Sequence, residues 1–251
     1  MNELALALSF LTILPVRPQT TALLQLGRAA RFFPLVGLLL GALLSSAHFV
    51  FSTFFNPLVA ATLTVGLWAL LTGGLHLDGL ADCCDGLFAA APPERRLEIM
   101  RDPRVGAFGV IGLVLFLIAK VTALATLPSG SVMFAVYGAT IFARWLIVLM
   151  AQQPLARAGG LAEEFKRGLS QETLLLATLL PAAFLLFGMV EIRVLIAGVL
   201  AYGCAWLIGR LARARLGGIT GDVLGLTVEA AEWVFLLTFA AQFSMTPIIN
   251  T

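Results

Sequence analysis

Asp78, Asp82 and Asp85 fall within eight residues of a chain that has only 14 acidic side chains. The run reads Thr72-Gly73-Gly74-Leu75-His76-Leu77-Asp78-Gly79-Leu80-Ala81-Asp82-Cys83-Cys84-Asp85-Gly86. If Leu75 to Leu87 is helical, the three aspartates sit at i, i+4 and i+7 and share one face. Like charges on one stripe repel, so a bare helix carrying them is destabilised. A divalent cation turns that repulsion into ligation, and clustered carboxylate oxygens are what hard Mg²⁺ or Mn²⁺ takes. The competing explanation is a solvated first turn, where acids favour the positive end of the helix dipole. The flanks are poor in charge, which favours the metal. His76 is a candidate base or ligand, and equally a structural histidine at a helix boundary. A zinc site from His76, Cys83 and Cys84 fits no usual ligand spacing.

A second polar cluster follows: Glu94-Arg95-Arg96-Leu97-Glu98-Ile99-Met100-Arg101-Asp102-Pro103-Arg104. Pro92-Pro93 suits a helix start and Asp102-Pro103 a stop, so a short helix is expected over Glu94 to Arg101. Guanidinium groups bind phosphate oxygens bidentately, which makes Arg101 and Arg104, with Asp102 between them, candidates for gripping a diphosphate. Topology and lipid headgroups are the alternative for this loop's arginines, and the expected role of Arg95 and Arg96. Asp222 opens the last apolar run from a Gly-rich turn. It is either a fourth carboxylate of the metal site or the N-cap of its helix.

These groups need a scaffold, and composition names its kind. Residues are 60% hydrophobic and 12% charged, whereas soluble domains carry about 25% charged residues. Apolar runs from Phe32–Phe51 to Val223–Phe243 approach or reach the length of about 20 residues that a bilayer crossing needs. The expected fold is an all-α polytopic membrane bundle, one integral-membrane catalytic domain over residues 1–251. It has about six transmembrane helices plus a short N-terminal helix near Leu4 to Leu14, too brief to span. The three cysteines make no disulfide framework.

Thirteen arginines and lysines fall on the side of the Asp stripe and only Arg193 on the other. That bias makes the stripe's side cytoplasmic, in the inner membrane of a cell. Lys120, Arg144, Glu229 and Glu232 lie inside expected spans. They line a polar cavity open to phosphate, or they pair across helices, as Lys120 with Glu229 would.

Gly74-Leu75-His76-Leu77-Asp78-Gly79-Leu80-Ala81-Asp82 with Asp85 resembles the signature of the adenosylcobinamide-GDP ribazoletransferase, or cobalamin synthase, family. The resemblance extends to Phe33-Pro34-Leu35-Val36-Gly37 with Gly41, to Glu98 through Gly106, and to Thr220-Gly221-Asp222-Val223-Leu224-Gly225. These blocks occur in the family's order across essentially the whole chain. The resemblance implies transfer of the adenosylcobinamide phosphate of adenosylcobinamide-GDP to α-ribazole or α-ribazole 5′-phosphate, releasing GMP, with Mg²⁺ as cofactor. It implies Asp78, Asp82, Asp85 and Asp222 as metal ligands and Arg101, Asp102 and Arg104 at the substrate. Asp82, Asp85 and His76 are the candidates for the proton-accepting role. Expected partners are the two substrates, the lipid bilayer and, in a homo-oligomer, a second copy of the chain, with no nucleic acid.

The Asp-x3-Asp-x2-Asp spacing is also similar to the acidic motif of CDP-alcohol phosphotransferases. That family's Asp-Gly-x2-Ala-Arg opening is absent. A transporter is the alternative from another class. Against it, the acidic cluster sits at the end of a span, and the two halves of the chain share no motif.

Overall fold

No water reaches the middle of a bilayer, so backbone polar groups there must be satisfied within the segment, and apolar runs of this length fold as helices. The computed structural model describes residues 2–18, 23–157, 161–187 and 191–241. The helices are α1 (Asn2–Leu11), α2 (Leu23–Ala29), α3 (Phe33–Phe54), α4 (Pro57–Leu71), α5 (Leu75–Phe88) and α6 (Pro93–Ile99). They continue as α7 (Ala107–Thr126), α8 (Ser129–Met150), α9 (Leu161–Gly168), α10 (Gln171–Phe187), α11 (Ile192–Leu216) and α12 (Gly221–Ala240). A 3-10 turn, Ala30–Phe32, joins α2 to α3.

Five helical segments are long and apolar enough to cross a membrane, and two bent pairs bring the total to seven. The expectation of about six lies inside that range. The expected end of the last span, Phe243, lies outside the described residues. In α8 and α12 most of the apolar stretch is buried, 72% and 67%, against 22% in α7. Those two helices therefore form the bundle's centre. Around them α3, α7 and α11 present Leu39, Leu43, Leu115, Ile118, Val199 and Leu207 outward, an apolar belt of the kind that lipid covers. The close approach of α3 to α8 needs Gly37, where a β-carbon would collide with the Thr140 carbonyl oxygen.

Charge holds the centre together. Lys120 of α7 donates to Glu229 at 2.8 Å and to Glu232 at 2.5 Å, both on α12. Arg144 of α8 pairs with the other oxygen of Glu232. Trp68 of α4 donates its indole N–H to that same oxygen at 3.2 Å, and its ring lies under the Lys120 ammonium at 4.5 Å. Two cations and two carboxylates cancel in a place where a net charge is very costly. Of the two readings the sequence left open, the ion pair across helices is the one that forms.

Between α4 and α5 the axis turns by 92°. The turn uses Gly73 and Gly74 at φ +62° and +69°, a left-handed conformation that side chains resist. The turn sends α5 across the ends of its neighbours instead of along them. Its Gly79 lies against Asp222 and Gly225 at the start of α12. Two turns on, its Asp85 meets Gly106 and Gly109 at the start of α7. Arg96 of α6 is buried and donates to the carbonyls of Gly86 at 3.1 Å and Leu87 at 2.6 Å. It closes the C-terminus of α5, so its role is helix capping where topology was expected. The helix expected over Glu94 to Arg101 is observed as Pro93–Ile99.

Replacing Lys120 with Met leaves two buried carboxylates facing one arginine. We expect destabilisation of roughly 3–5 kcal/mol, the cost of breaking a buried pair, measured by unfolding in detergent. Adding Glu229→Gln, which removes one negative charge as well, should recover part of the loss. A Lys120→Met variant as stable as wild type would show that the network does not hold the bundle.

Candidate active site

The acidic stripe forms as a helix face, and α12 completes it. Gly79 lies between Asp78 and Asp82 in sequence, and a β-carbon there would come within 2.9 Å of the Asp222 carbonyl oxygen. Opposite, Gly225 keeps α12 equally bare, its Cα 3.3 Å from where that β-carbon would be. Two glycines thus let the helices touch backbone to backbone, bringing the aspartates of α5 to the first turn of α12. A cavity of about 250 Å³ opens beside the crossing, lined by His76, Asp78 and Asp222, with Phe165 of α9 among its walls.

The N-cap of α12 is Thr220, whose hydroxyl accepts from the Val223 N–H at 3.3 Å. The capping alternative for Asp222 therefore falls away. Its side chain receives the Thr220 hydroxyl at 3.2 Å and lines the cavity. Burial pushes the Asp82 carboxyl up to about 7, and the negative charges of Asp78, Asp222 and Asp85 push the same way. The four carboxylates share one electrostatic field. None of Asp78, Asp82 and Asp222 is ion-paired among the described residues. No three His, Cys, Asp or Glu side chains among those residues are drawn together tightly enough to form a ready-made metal cage.

Asp85 is placed differently. One oxygen accepts from the Gly106 N–H at 2.7 Å and the other from the Gly109 N–H at 2.9 Å. These are orphan donors at the positive end of α7, so Asp85 is a latch between α5 and α7. His76 is 4% exposed and its Nε2 has no hydrogen-bond partner. Burial first, and then Arg144, push its imidazole down to about 3.

The phosphate-binding candidates separate. Arg104 donates to Asp102 through Nε at 2.9 Å and Nη2 at 2.7 Å, with its side chain 87% exposed. That grip holds the Asp102 carboxyl well below its usual range. Both line a shallow hollow with Asp85, Arg95 and Glu98, apart from the first cavity. Arg101 lies in the field of a residue that sequence reasoning missed, Arg157, whose charge also reaches Asp222. Arg157 arrives there through a long-range backbone pairing. Ile219 donates to the Pro154 carbonyl at 2.8 Å and Ala156 to the Ile219 carbonyl at 3.0 Å. No local pattern joins residue 157 to residue 222, and Arg157 reads in sequence as one more loop arginine.

Similarity to known proteins extends over nearly the whole chain. A family profile described as cobalamin-5-phosphate synthase matches residues 3–240. The adenosylcobinamide-GDP ribazoletransferase of Desulfitobacterium hafniense is 37% identical over 243 residues, 94% of this chain and 96% of that protein. The protein of the same name from Klebsiella pneumoniae is 39% identical over 240 residues, 92% of this chain and 96% of that one. Its counterpart in Desulforamulus reducens is 37% identical over 245 residues, 96% and 97% of the two chains. No solved structure gives a significant match. The chain, from its acidic helix to the first turn of α12, belongs to the cobalamin-5-phosphate synthase family.

Proposed function

We propose that this chain transfers the adenosylcobinamide phosphate moiety of adenosylcobinamide-GDP to α-ribazole or α-ribazole 5′-phosphate, releasing GMP. This is the last assembly step of the cobalamin nucleotide loop. The observation that carries the reading is the crossing of α5 and α12 at Gly79 and Gly225, which sets Asp78 and Asp222 on one cavity with Asp82 one turn along α5 in the field of both. In the transfer a free hydroxyl of the acceptor attacks the phosphorus bonded to the cobinamide. The bond to the bridging oxygen breaks, GMP leaves, and the hydroxyl proton passes to a protein base. Of the three candidate bases Asp82 is the best supported, since the other two are withdrawn. The imidazole of His76 is a weak acceptor at about 3, and both oxygens of Asp85 are engaged.

Mg²⁺ is the proposed cofactor. The cation characteristically keeps several waters and takes one or two carboxylates plus substrate phosphates, so it needs no complete protein cage. Asp78, Asp82 and Asp222 are oxygen donors of one sign without ion-pair partners, and they fit that demand. Asp85 supports the set by fixing α5. Once bound, Mg²⁺ would supply charge neutralisation at the diphosphate. The thirteen-to-one placement of basic residues supports a cytoplasmic face for the site, in the cell's inner membrane. Pairing of the intramembrane charges with each other weighs against a solute carrier, which would keep such groups for its cargo.

Turnover of adenosylcobinamide-GDP with α-ribazole 5′-phosphate in liposomes should release GMP, stop on chelation and return with Mg²⁺. Asp82→Asn should lower kcat at least a hundredfold, in the range of losing a general base. Full turnover in chelator, or in an Asp78→Ala/Asp82→Ala double variant, would remove the assignment. A second outcome follows from the sign of the Asp82 shift. A carboxyl raised in the fold binds more protons folded than unfolded, so stability falls with rising pH between the unfolded value and about 7. In chelator the melting temperature should therefore drop from pH 5 to pH 8, and Asp82→Asn should flatten the slope.

A further inference from the structure

Joining a nucleoside diphosphate ester to a nucleotide brings two phosphate-bearing molecules together. The α5–α12 cavity is acidic and takes phosphate only alongside a cation. A free phosphomonoester on the acceptor needs fixed positive charge elsewhere.

Such charge lies on the other side of α9. Ala162 and Phe165 of that helix line the acidic cavity. Glu163, Lys166 and Arg167, with Leu155 and Arg157, line a second hollow of about 550 Å³. Three cations and one carboxylate leave a net charge of +2, which matches the −1.5 to −2 that a phosphomonoester carries near neutrality. The carboxylate is already engaged, since Arg167 pairs with Glu163 at 2.5 Å. Lys166 spends one N–H on the Gln153 carbonyl at 2.8 Å, which fixes the ammonium and leaves its other donors for a ligand. Arg157 is the link between the two hollows. It lines the basic one, and the chain just before it pairs with Ile219, three residues before Asp222 of the acidic one. Its backbone is held in place by the Leu155–Ile219 bridge. Among the described residues no carboxylate forms an ion pair with it, and the neighbouring Arg101 adds like charge. Two unbridged guanidinium groups in one field call for an anion.

We propose that this basic hollow is the subsite for the acceptor's phosphate, with Arg157 and Lys166 as its readers. It sets a preference for α-ribazole 5′-phosphate over α-ribazole. The proposal rests on the transfer reaction above and adds to it the part that recognises the acceptor.

The test is kcat/KM for each acceptor at saturating adenosylcobinamide-GDP, in wild type, Arg157→Gln, Arg157→Lys and Lys166→Gln. Taking the ratio within one preparation cancels losses from misfolding. The preference for the phosphorylated acceptor should fall roughly tenfold or more in Arg157→Gln, as expected for one charge-assisted hydrogen bond. The loss should sit in KM, follow the same direction in Lys166→Gln, and be smaller in Arg157→Lys. A ratio within twofold of wild type in both Gln variants would overturn the proposal. So would an unchanged ratio with activity that loses its dependence on phosphatidylglycerol in the reconstituted bilayer, which would give the hollow to lipid headgroups. A wild type that turns over neither acceptor would instead refute the transfer reaction itself.

Discussion

Every feature of the site depends on where α12 stands, and buried charge decides where it stands. Glu229 and Glu232 can lie in the bundle's interior only if Lys120 and Arg144 come to meet them. That requirement draws α7 and α8 onto α12 in a single register, with Trp68 bringing α4 to the same point. Once the register is set, the first turn of α12 emerges at a defined height, and Asp222 with it. Non-directional packing among leucines, in a solvent as apolar as they are, fixes relative height far less sharply.

Upon this frame α5 is laid crosswise. A pair of left-handed glycines turns it, a pair of bare backbone faces lets it sit down on α12, and Asp85 ties its far end to α7. The acidic stripe is thereby held at three points by interactions that use little of its own chemistry. Electrostatic strain among the aspartates is accepted at the centre because the periphery is well satisfied: Arg96 closes one helix end, Thr220 opens another. Polar groups with partners surround three carboxylates that, among the described residues, have no ion-pair partner.

Much of this was legible in the residues. The helical character of the chain, the stripe at i, i+4 and i+7, and the proximity of Lys120 to Glu229 all follow from local period or from the cost of charge in lipid. Asp222 was visible as a carboxylate in a glycine-rich turn, but not whether it would cap its helix; only the position of Thr220 decides that. Arg104 looked like a ligand for phosphate because its sequence neighbours are those of a binding loop, yet its guanidinium has a carboxylate two residues away. Arg157 was out of reach, since its placement comes from backbone hydrogen bonds to a loop more than sixty residues later. Local pattern identifies what a residue can do, and long-range pairing decides what it faces.

The 15 residues of α4 amount to about 22 Å of helix, short of the roughly 30 Å of hydrocarbon in an average bilayer. The chain then turns, so the deficit cannot be made up by continuing straight. Either the bilayer thins beside α4 or the polar surface of α5 settles to the depth of the headgroups. A site at headgroup depth lies below bulk water, in a layer where the dielectric is lower and charges act over longer range. Membrane thickness becomes a variable of the active site: a thicker, more ordered bilayer would press on the turn at Gly73 and Gly74, and a thinner one would relax it.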